Sequence, residues 1–452
     1  MKHIFFFSIL LTGLALVGCN KKLDTRPTQS IDVDDALLTS NDVKVALVGA
    51  YRNFGDNNFY GGQLAVASEL LANSNELGWS GTFQGLTQIY NKAIPVDNGF
   101  ITDIWIWGYR TINDVNNVLQ ALDVVDEDSK DRVEGEAKFI RGSALFDLVR
   151  MYGKAWNDGD PNTNLGVPVV VTPTAGITEA SLVKRNKVAE VYTQVIADLT
   201  DASNKLPVSN GFFATKIAAL AMLSRVYLQQ GKYADARDKA NEAIELAEEN
   251  GYRLMSNYAD AFPYTDPPSA TGNTDEDIFA MQVTTSSGEN DFQTYFSALG
   301  RGDIAIEDAH LNLYETGDER LNLFYSSGGT VYTGKFDNLY ANVPVIRLAE
   351  LYLTRAEANF RLGTSTGESP ADDIKKIRDR VGLPEITAAN LTLAAILKER
   401  KLELAFEGFN LHDIKRQGKS IGQLTFNSPK LVFPIPIRDI RVNPNLDQNE
   451  GY

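Results

Sequence analysis

The sequence predicts a mainly α-helical protein: a scaffold of antiparallel helix pairs, interrupted by loop-rich insertions and carrying a few short strands. Three observations predict it. Apolar residues recur three and four apart over several long stretches, the period of a helix with one buried face. One helix–turn–helix stretch, Ala218–Ala247, has a second copy that begins at Val345. Between the helical stretches lie two segments, 54–99 and 251–340, rich in Gly, Asn and Ser with aromatic residues set among them, the composition of long loops.

The first element is a leader. Met1-Lys2-His3 is a basic tip, and Ile4–Val17 is an apolar run too short to cross a bilayer comfortably. Such a segment reads as an export signal, residues 1–18. Its end, Leu16-Val17-Gly18-Cys19, looks like a bacterial lipobox, in which the chain is cut before the cysteine and acyl chains are added there. Cys19 is therefore the expected lipidation site. It is the only cysteine of the 452 residues, so no internal disulfide can form despite export. Residues 19–40 read as a polar tether.

Residues 41–250 read as an N-terminal helical half. Asn41–Asn53 is a helix with Val43, Val45, Ala46, Leu47 and Ala50 as its apolar positions. The insertion 54–99 is read as loop around one short helix, Gln63–Leu71. In Asp103–Leu122, Trp105, Tyr109, Ile112, Asn116 and Leu119 form one helical stripe. Val133–Met151 places Ala137, Ile140, Ala144, Leu148 and Met151 inward, with Glu134, Glu136 and Lys138 expected in water. Gly153 is its stop. Loop fills 154–186, and helix returns at Val188–Leu206, ended by Pro207.

The pair at 218–247 is the clearest. Leu223, Ser224, Tyr227, Gly231, Tyr233, Ala236, Ala240 and Ala243 match the tetratricopeptide helix–turn–helix at their spacings. A repeat cannot bury its face alone, so a tetratricopeptide-like scaffold is implied. Residues 251–452 form the second half. The insertion 251–340 carries strand-like runs at Asp277–Val283 and Thr330–Phe336. The repeat copy from Val345 is partnered by Pro370–Val381. One long helix is expected over Ala394–Arg416. The end, 421–452, with Phe433-Pro-Ile-Pro436 and Asn443-Pro-Asn445, reads as an extended packed strap.

Composition narrows the function. The chain is 43% hydrophobic and 23% charged, with net charge −16. That balance excludes nucleic acid as a partner, since phosphate binding needs clustered Lys and Arg. It also leaves acyl chains as the only membrane attachment. Three histidines, no cysteine pair, no P-loop and no Gly-x-Gly-x-x-Gly leave no metal or cofactor site to expect.

Several blocks in order carry a family resemblance. They are Cys19-Asn-Lys-Lys-Leu-Asp-Thr-Arg-Pro27; Trp105-x3-Tyr109-x2-Ile112-x3-Asn116; Glu136–Arg141 with Phe146–Gly153; Ile346–Leu353 with Ala356-Glu-Ala358; Glu399-Arg400 with Glu403–Gly408 and Asp413; Phe433–Ile437; and Asn443–Leu446 with Gln448-Asn449 and Gly451-Tyr452. Spread over the whole chain after the leader, they resemble the SusD/RagB nutrient-binding outer-membrane lipoproteins. The resemblance implies four tetratricopeptide-like helix pairs with the ligand site in the looped regions. It implies a surface-exposed, lipid-anchored protein of the outer membrane, and as partner a TonB-dependent transporter of the SusC type that it caps. It implies a ligand that is mainly oligosaccharide, or peptide for some members. Asn410 and His412 depart from the pattern, standing where the family carries Arg and an aromatic residue.

Candidate site residues follow from side-chain chemistry. Sugars present C–H faces that stack on aromatic rings, while Asn, Asp and Arg take their hydroxyls. Trp79 lies in a polar, Gly-flanked loop and is either a stacking platform or a loop anchor. Asn75, Phe83 and Tyr90 flank it. Asn290, Phe292, Tyr295 and Arg301 form a similar group in the second insertion. Trp105, on a helix stripe, reads as core. Glu399, Glu403 and Glu407, four apart, carry enough carboxylates for a glycosidase, but nearby Lys398, Arg400, Lys401 and Arg416 make ion pairs the stronger reading. Ser143 and Ser181 have no histidine in a suitable motif. The sequence thus favours a non-catalytic glycan-binding lipoprotein. A tetratricopeptide scaffold that binds peptides or proteins in outer-membrane assembly is the alternative, and an enzyme comes third.

Overall fold

The computed structural model describes residues 36–174, 176 and 178–452. Cys19, the leader and most of the tether lie outside the described residues. Helix α1 (Ser40–Phe54) starts at a capping box, with Thr39 Oγ1 accepting from Asp42 N and Asp42 accepting from Thr39 N. It buries Val43, Leu47, Ala50 and Phe54, the positions one helix face supplies. Helices α2 (Gln63–Ala72), α3 (Gln84–Tyr90), α4 (Gly99–Gln120) and α5 (Glu127–Tyr152) follow. Then come α6 (Val188–Lys205), α7 (Lys216–Gln229) and α8 (Tyr233–Glu249). In the second half are α9 (Asp291–Phe296), α10 (Leu348–Leu362), α11 (Pro370–Asp379), α12 (Leu393–Glu403), α13 (Asn410–Arg416) and α14 (Ile437–Val442).

The long helices stack in order. α1 packs on α4, α4 on α5, α5 on α6, α6 on α7, α7 on α8, and α8 on α10, which carries α11 and α12. This is a tetratricopeptide-like array of pairs α1/α4, α5/α6, α7/α8 and α10/α11, and one continuous apolar core runs through it. Small residues set the spacing. Gly108 of α4 meets Leu148 of α5, and Gly142 of α5 meets Leu199 of α6; a methyl group at either would stand 2.9 or 3.0 Å from the leucine side chain and force it to shift. Trp105 is buried, its ring 5.0 Å from that of Tyr152.

Among the described residues six short strands make three two-stranded antiparallel pairs. β1 (Leu77–Trp79) pairs with β3 (Ile304–Ile306), β2 (Asp277–Met281) with β6 (Val343–Arg347), and β4 (Phe324–Ser327) with β5 (Thr330–Thr333). The end of the chain packs as a strap, but it is not extended throughout: helix α14 interrupts it at Ile437–Val442. Phe433 and Ile435 are buried, and Asn449 Nδ2 donates to the carbonyls of Tyr152 and Phe433 at 2.8 and 2.7 Å.

Four further expectations are corrected. The first insertion holds two helices and a strand, not one helix. The repeat copy begins as strand: Val343–Arg347 pairs with β2 before α10 starts at Leu348. Glu136 does not face water; it is buried against Arg132 and Asn210, and burial raises its carboxyl above the usual range. The long helix over Ala394–Arg416 is two helices. Between them Phe406 and Gly408 take left-handed backbone, φ 69° and 86°. A side chain at 408 would also come within 2.8 Å of Ala65 Cβ, so glycine is required there.

That break turns Glu407 away from the α12 face. The three glutamates become part of buried ion pairs rather than a solvent-facing acid set. Glu399 meets Arg320 and Arg378, Glu403 meets Arg347 and Arg380, and Glu407 meets Arg347 and Lys335. Arg347 is the hub. Its Nη1 contacts Glu276 and Glu403, while Nε and Nη2 hold both oxygens of Glu407 at 2.8 and 2.7 Å.

Candidate functional site

The two insertions meet at the β1–β3 pair. Leu77 opposes Ile306, Gly78 opposes Ala305, and Trp79 opposes Ile304. Ser80 N extends the ladder to the Asp303 carbonyl at 2.9 Å. The pairing brings Trp79 and Phe83 of one insertion beside Tyr295 and Arg301 of the other.

Each side chain is held by its own contacts. The Trp79 indole N–H donates to Thr87 Oγ1 at 2.8 Å, which fixes the half-buried ring on the first turn of α3. Gly81 lies directly against that ring: a Cβ there would stand 2.4 Å from it, so only glycine lets the loop pass. Tyr295 comes from α9, a helix started by Asn290, whose Oδ1 accepts from Gln293 N. Tyr295 is buried, 4% exposed, and its ring centroid lies 6.4 Å from Trp79 and 6.3 Å from Phe83, so it supports those rings from below rather than forming part of the exposed edge. Burial, then the Asp291 and Asp303 carboxylates, hold the Tyr295 phenol well above its usual range, so it stays neutral.

Phe83 is 39% exposed, its edge packed on Phe100 at 5.7 Å. The Arg301 guanidinium lies 4.5 Å above the Phe83 ring, a cation–π contact. Arg301 Nε donates to Asp303 Oδ2 at 2.8 Å and Nη2 to Thr82 Oγ1 at 3.2 Å. A guanidinium has five N–H groups in a planar fork. Among the described residues Nη1 has no partner, so its two donors remain for a ligand. The arrangement offers aromatic faces at an exposed edge next to a fixed, partly unengaged donor set. That suits a flat C–H surface rimmed by hydroxyls.

The other predicted residues lie elsewhere. Phe292 is buried, its ring stacked 4.6 Å from Phe336, and Asn290 is buried with Nδ2 donating to the Ala341 carbonyl at 3.2 Å. Both hold the second insertion together and do not reach the exposed edge. Tyr90 braces β1 from behind, its OH donating to the Leu77 carbonyl at 3.2 Å. Asn75 is exposed with φ 75°, in the turn that precedes β1, at the far end of the strand from Trp79. Sequence reasoning missed Thr82, Thr87 and Asp303, which fix Arg301 and the indole, and Tyr332, whose ring sits under Gly302. Asp303 is two residues from Arg301, but Thr82 reaches Arg301, and Tyr332 reaches Gly302, only across the assembled insertions, and no local spacing signals that.

The fold and this edge together define a class: a tetratricopeptide-like helical protein whose loop insertions converge on a solvent-facing aromatic platform. Residues 22–228 match the sequence profile described as starch-binding, associating with the outer membrane, and residues 219–425 match that of the SusD family. The chain belongs to the SusD family. It is 24% identical to SusD-like protein P2 of Formosa agariphila, over 100% of this chain and 95% of that protein. It is 34% identical to the starch-binding protein SusD of Bacteroides thetaiotaomicron over 125 residues, 25% of this chain and 22% of that one. A SusD superfamily protein of Bacteroides thetaiotaomicron superposes with a TM-score of 0.77 at 25% identity, covering 91% of this chain and 99% of the other.

Proposed function

We propose that this protein is an outer-membrane lipoprotein that binds oligosaccharide at the edge formed by Trp79, Phe83 and Arg301, with the buried Tyr295 packed beneath it. It is anchored through Cys19 and hands its ligand uncleaved to a TonB-dependent transporter of the SusC type. The observation that carries the reading is the convergence of two separate insertions on one exposed aromatic edge with free guanidinium donors. A scaffold that only joined proteins would need neither insertion. The relative named as a starch-binding protein supports the ligand class, and the family description supports the outer membrane. Among the described residues the carboxylates best spaced for glycoside cleavage are already tied to arginines, which supports binding without catalysis.

The test is calorimetric titration with a panel of α- and β-linked oligosaccharides of glucose, galactose and mannose. At least one class is expected to bind stoichiometrically and to remain intact after prolonged incubation. Absence of binding across the panel counts against a glycan ligand, and product formation refutes the non-catalytic reading. The partner is tested separately. Affinity purification from native membranes in mild detergent is expected to bring down a β-barrel transporter, since a stable lid buries above about 2,000 Å². Repeated purifications that yield no barrel sink the lid.

A further inference from the structure

Glu76 and Leu77, where the first insertion enters β1, also line a separate cavity of about 350 Å³, walled by α2, α12, the 404–410 turn and α13. Its apolar lining includes Leu404, Phe406 and Phe409. On the α2 wall stands Glu69, only 2% exposed. The backbone N–H groups of Gly408 and Asn410 both donate to Glu69 Oε1, at 2.8 and 3.4 Å, which leaves Oε2 without a donor. Among the described residues no Lys, Arg or His nitrogen forms an ion pair with either oxygen.

The neighbouring charges have other carboxylates beside them, although Arg400 Nη2, 3.8 Å from Glu350, makes no hydrogen bond. Lys401 and His310 both hold Glu76, and Arg400 Nε donates to Asp413 Oδ2 at 2.8 Å. Lys398 is half-buried and Lys419 exposed, and such side chains carry their ammonium groups out to water. Glu69 is thus the unmatched charge inside the cavity. A buried carboxylate without a cation is costly, and the site lowers that cost by keeping a proton. Burial, partly offset by the Asn410 and Gly408 N–H groups, pushes the Glu69 carboxyl up to about 7.

We propose that this cavity is a second binding site, distinct from the aromatic edge, for a small molecule that carries a primary ammonium group on an apolar body. The ammonium sits on Glu69 in place of the proton, which leaves to solvent, and the body lies against Phe406 and Phe409. A neutral molecule of the same shape gains only the apolar contact. A hydrogen bond to a charged group adds about a factor of ten or more in affinity.

The experiment uses the whole protein with two probes, benzylamine and benzyl alcohol, which differ in the cationic group. Calorimetry is run one pH unit above and one below the Glu69 value of about 7; benzylamine is cationic at both. Above it, benzylamine is expected to bind about tenfold or more tightly than the alcohol. Below it, Glu69 is protonated and the preference shrinks. Glu69→Gln removes the preference and leaves glycan affinity unchanged. Asn410→Arg, which puts a guanidinium into the cavity next to the carboxyl, blocks both probes, and it decides the matter if Glu69→Gln does not fold. Equal binding of the two probes, no binding of benzylamine at millimolar concentration, or a preference that survives Glu69→Gln overturns the proposal. The glycan titration reads a different edge, so the two readings stand or fall separately.

Discussion

Replacement of Arg347 by methionine is expected to lower the unfolding free energy by about 3–5 kcal/mol, the cost of breaking a buried ion pair from one side. Arg347 touches Glu276, Glu403 and Glu407. Without it those carboxylates share Arg380 and Lys335 alone. Methionine fills the space but supplies no charge. Urea unfolding followed by circular dichroism measures the loss, and a change below about 1 kcal/mol would mean the cluster is as weak as a surface pair.

The same cluster sets an acid response. Burial alone would raise the Glu407 carboxyl, but Arg347 and then Lys335 outweigh it and hold it at about 2, below its ordinary value of 4.5. The folded chain therefore binds fewer protons than the unfolded chain in that window. Stability from this group is complete above pH 4.5 and is lost as the pH falls towards 2. In Arg347→Met the carboxyl titrates nearer its ordinary value, so this acid-dependent loss flattens.

The second large effect is at the aromatic edge. Trp79→Ala is expected to weaken glycan binding about 5- to 150-fold, since stacking on one aromatic ring is worth about 1–3 kcal/mol. The indole is half-buried and bonded to Thr87, so a modest stability loss of about 1 kcal/mol accompanies it. Calorimetry with the best ligand of the oligosaccharide panel gives the first quantity and urea unfolding the second. Unchanged affinity with a large stability loss would make Trp79 a loop anchor, and the ligand would then be sought around the exposed Phe83 and Arg301.

Most helices were legible because their signal is local. The stripe from Trp105 to Leu119 and the small residues of 218–247 need only a 3.6-residue period to be read. The errors arose where a distant partner decides. Glu136, beside Glu134 and Lys138, looks like a solvated face; only the fold brings Asn210 to it. Val343–Arg347 is a short apolar run that periodicity cannot divide between strand and helix, and β2 decides. Apolar spacing runs straight through Leu404–Phe409, so the break at Phe406 is invisible until Glu69 and Ala65 of α2 approach the turn. At the site, residue type pointed to Trp79, Phe83, Tyr295 and Arg301. It could not separate the exposed Phe83 and Arg301 and the half-buried Trp79 from the buried Tyr295, Phe292 and Asn290, because depth below the surface is a property of the assembled insertions.

The β1–β3 pair has a kinetic consequence. It joins three residues near position 78 to three near 305, a contact of very long sequence separation that earns little until the chain between is ordered. Such contacts close late. The array of helices, built from neighbours, can form before it. A chain still in the course of folding therefore has its helices before the completed edge. In the finished protein the amides of these two short strands should be among the first to exchange with solvent through local opening, and a ligand bridging both insertions would slow that exchange.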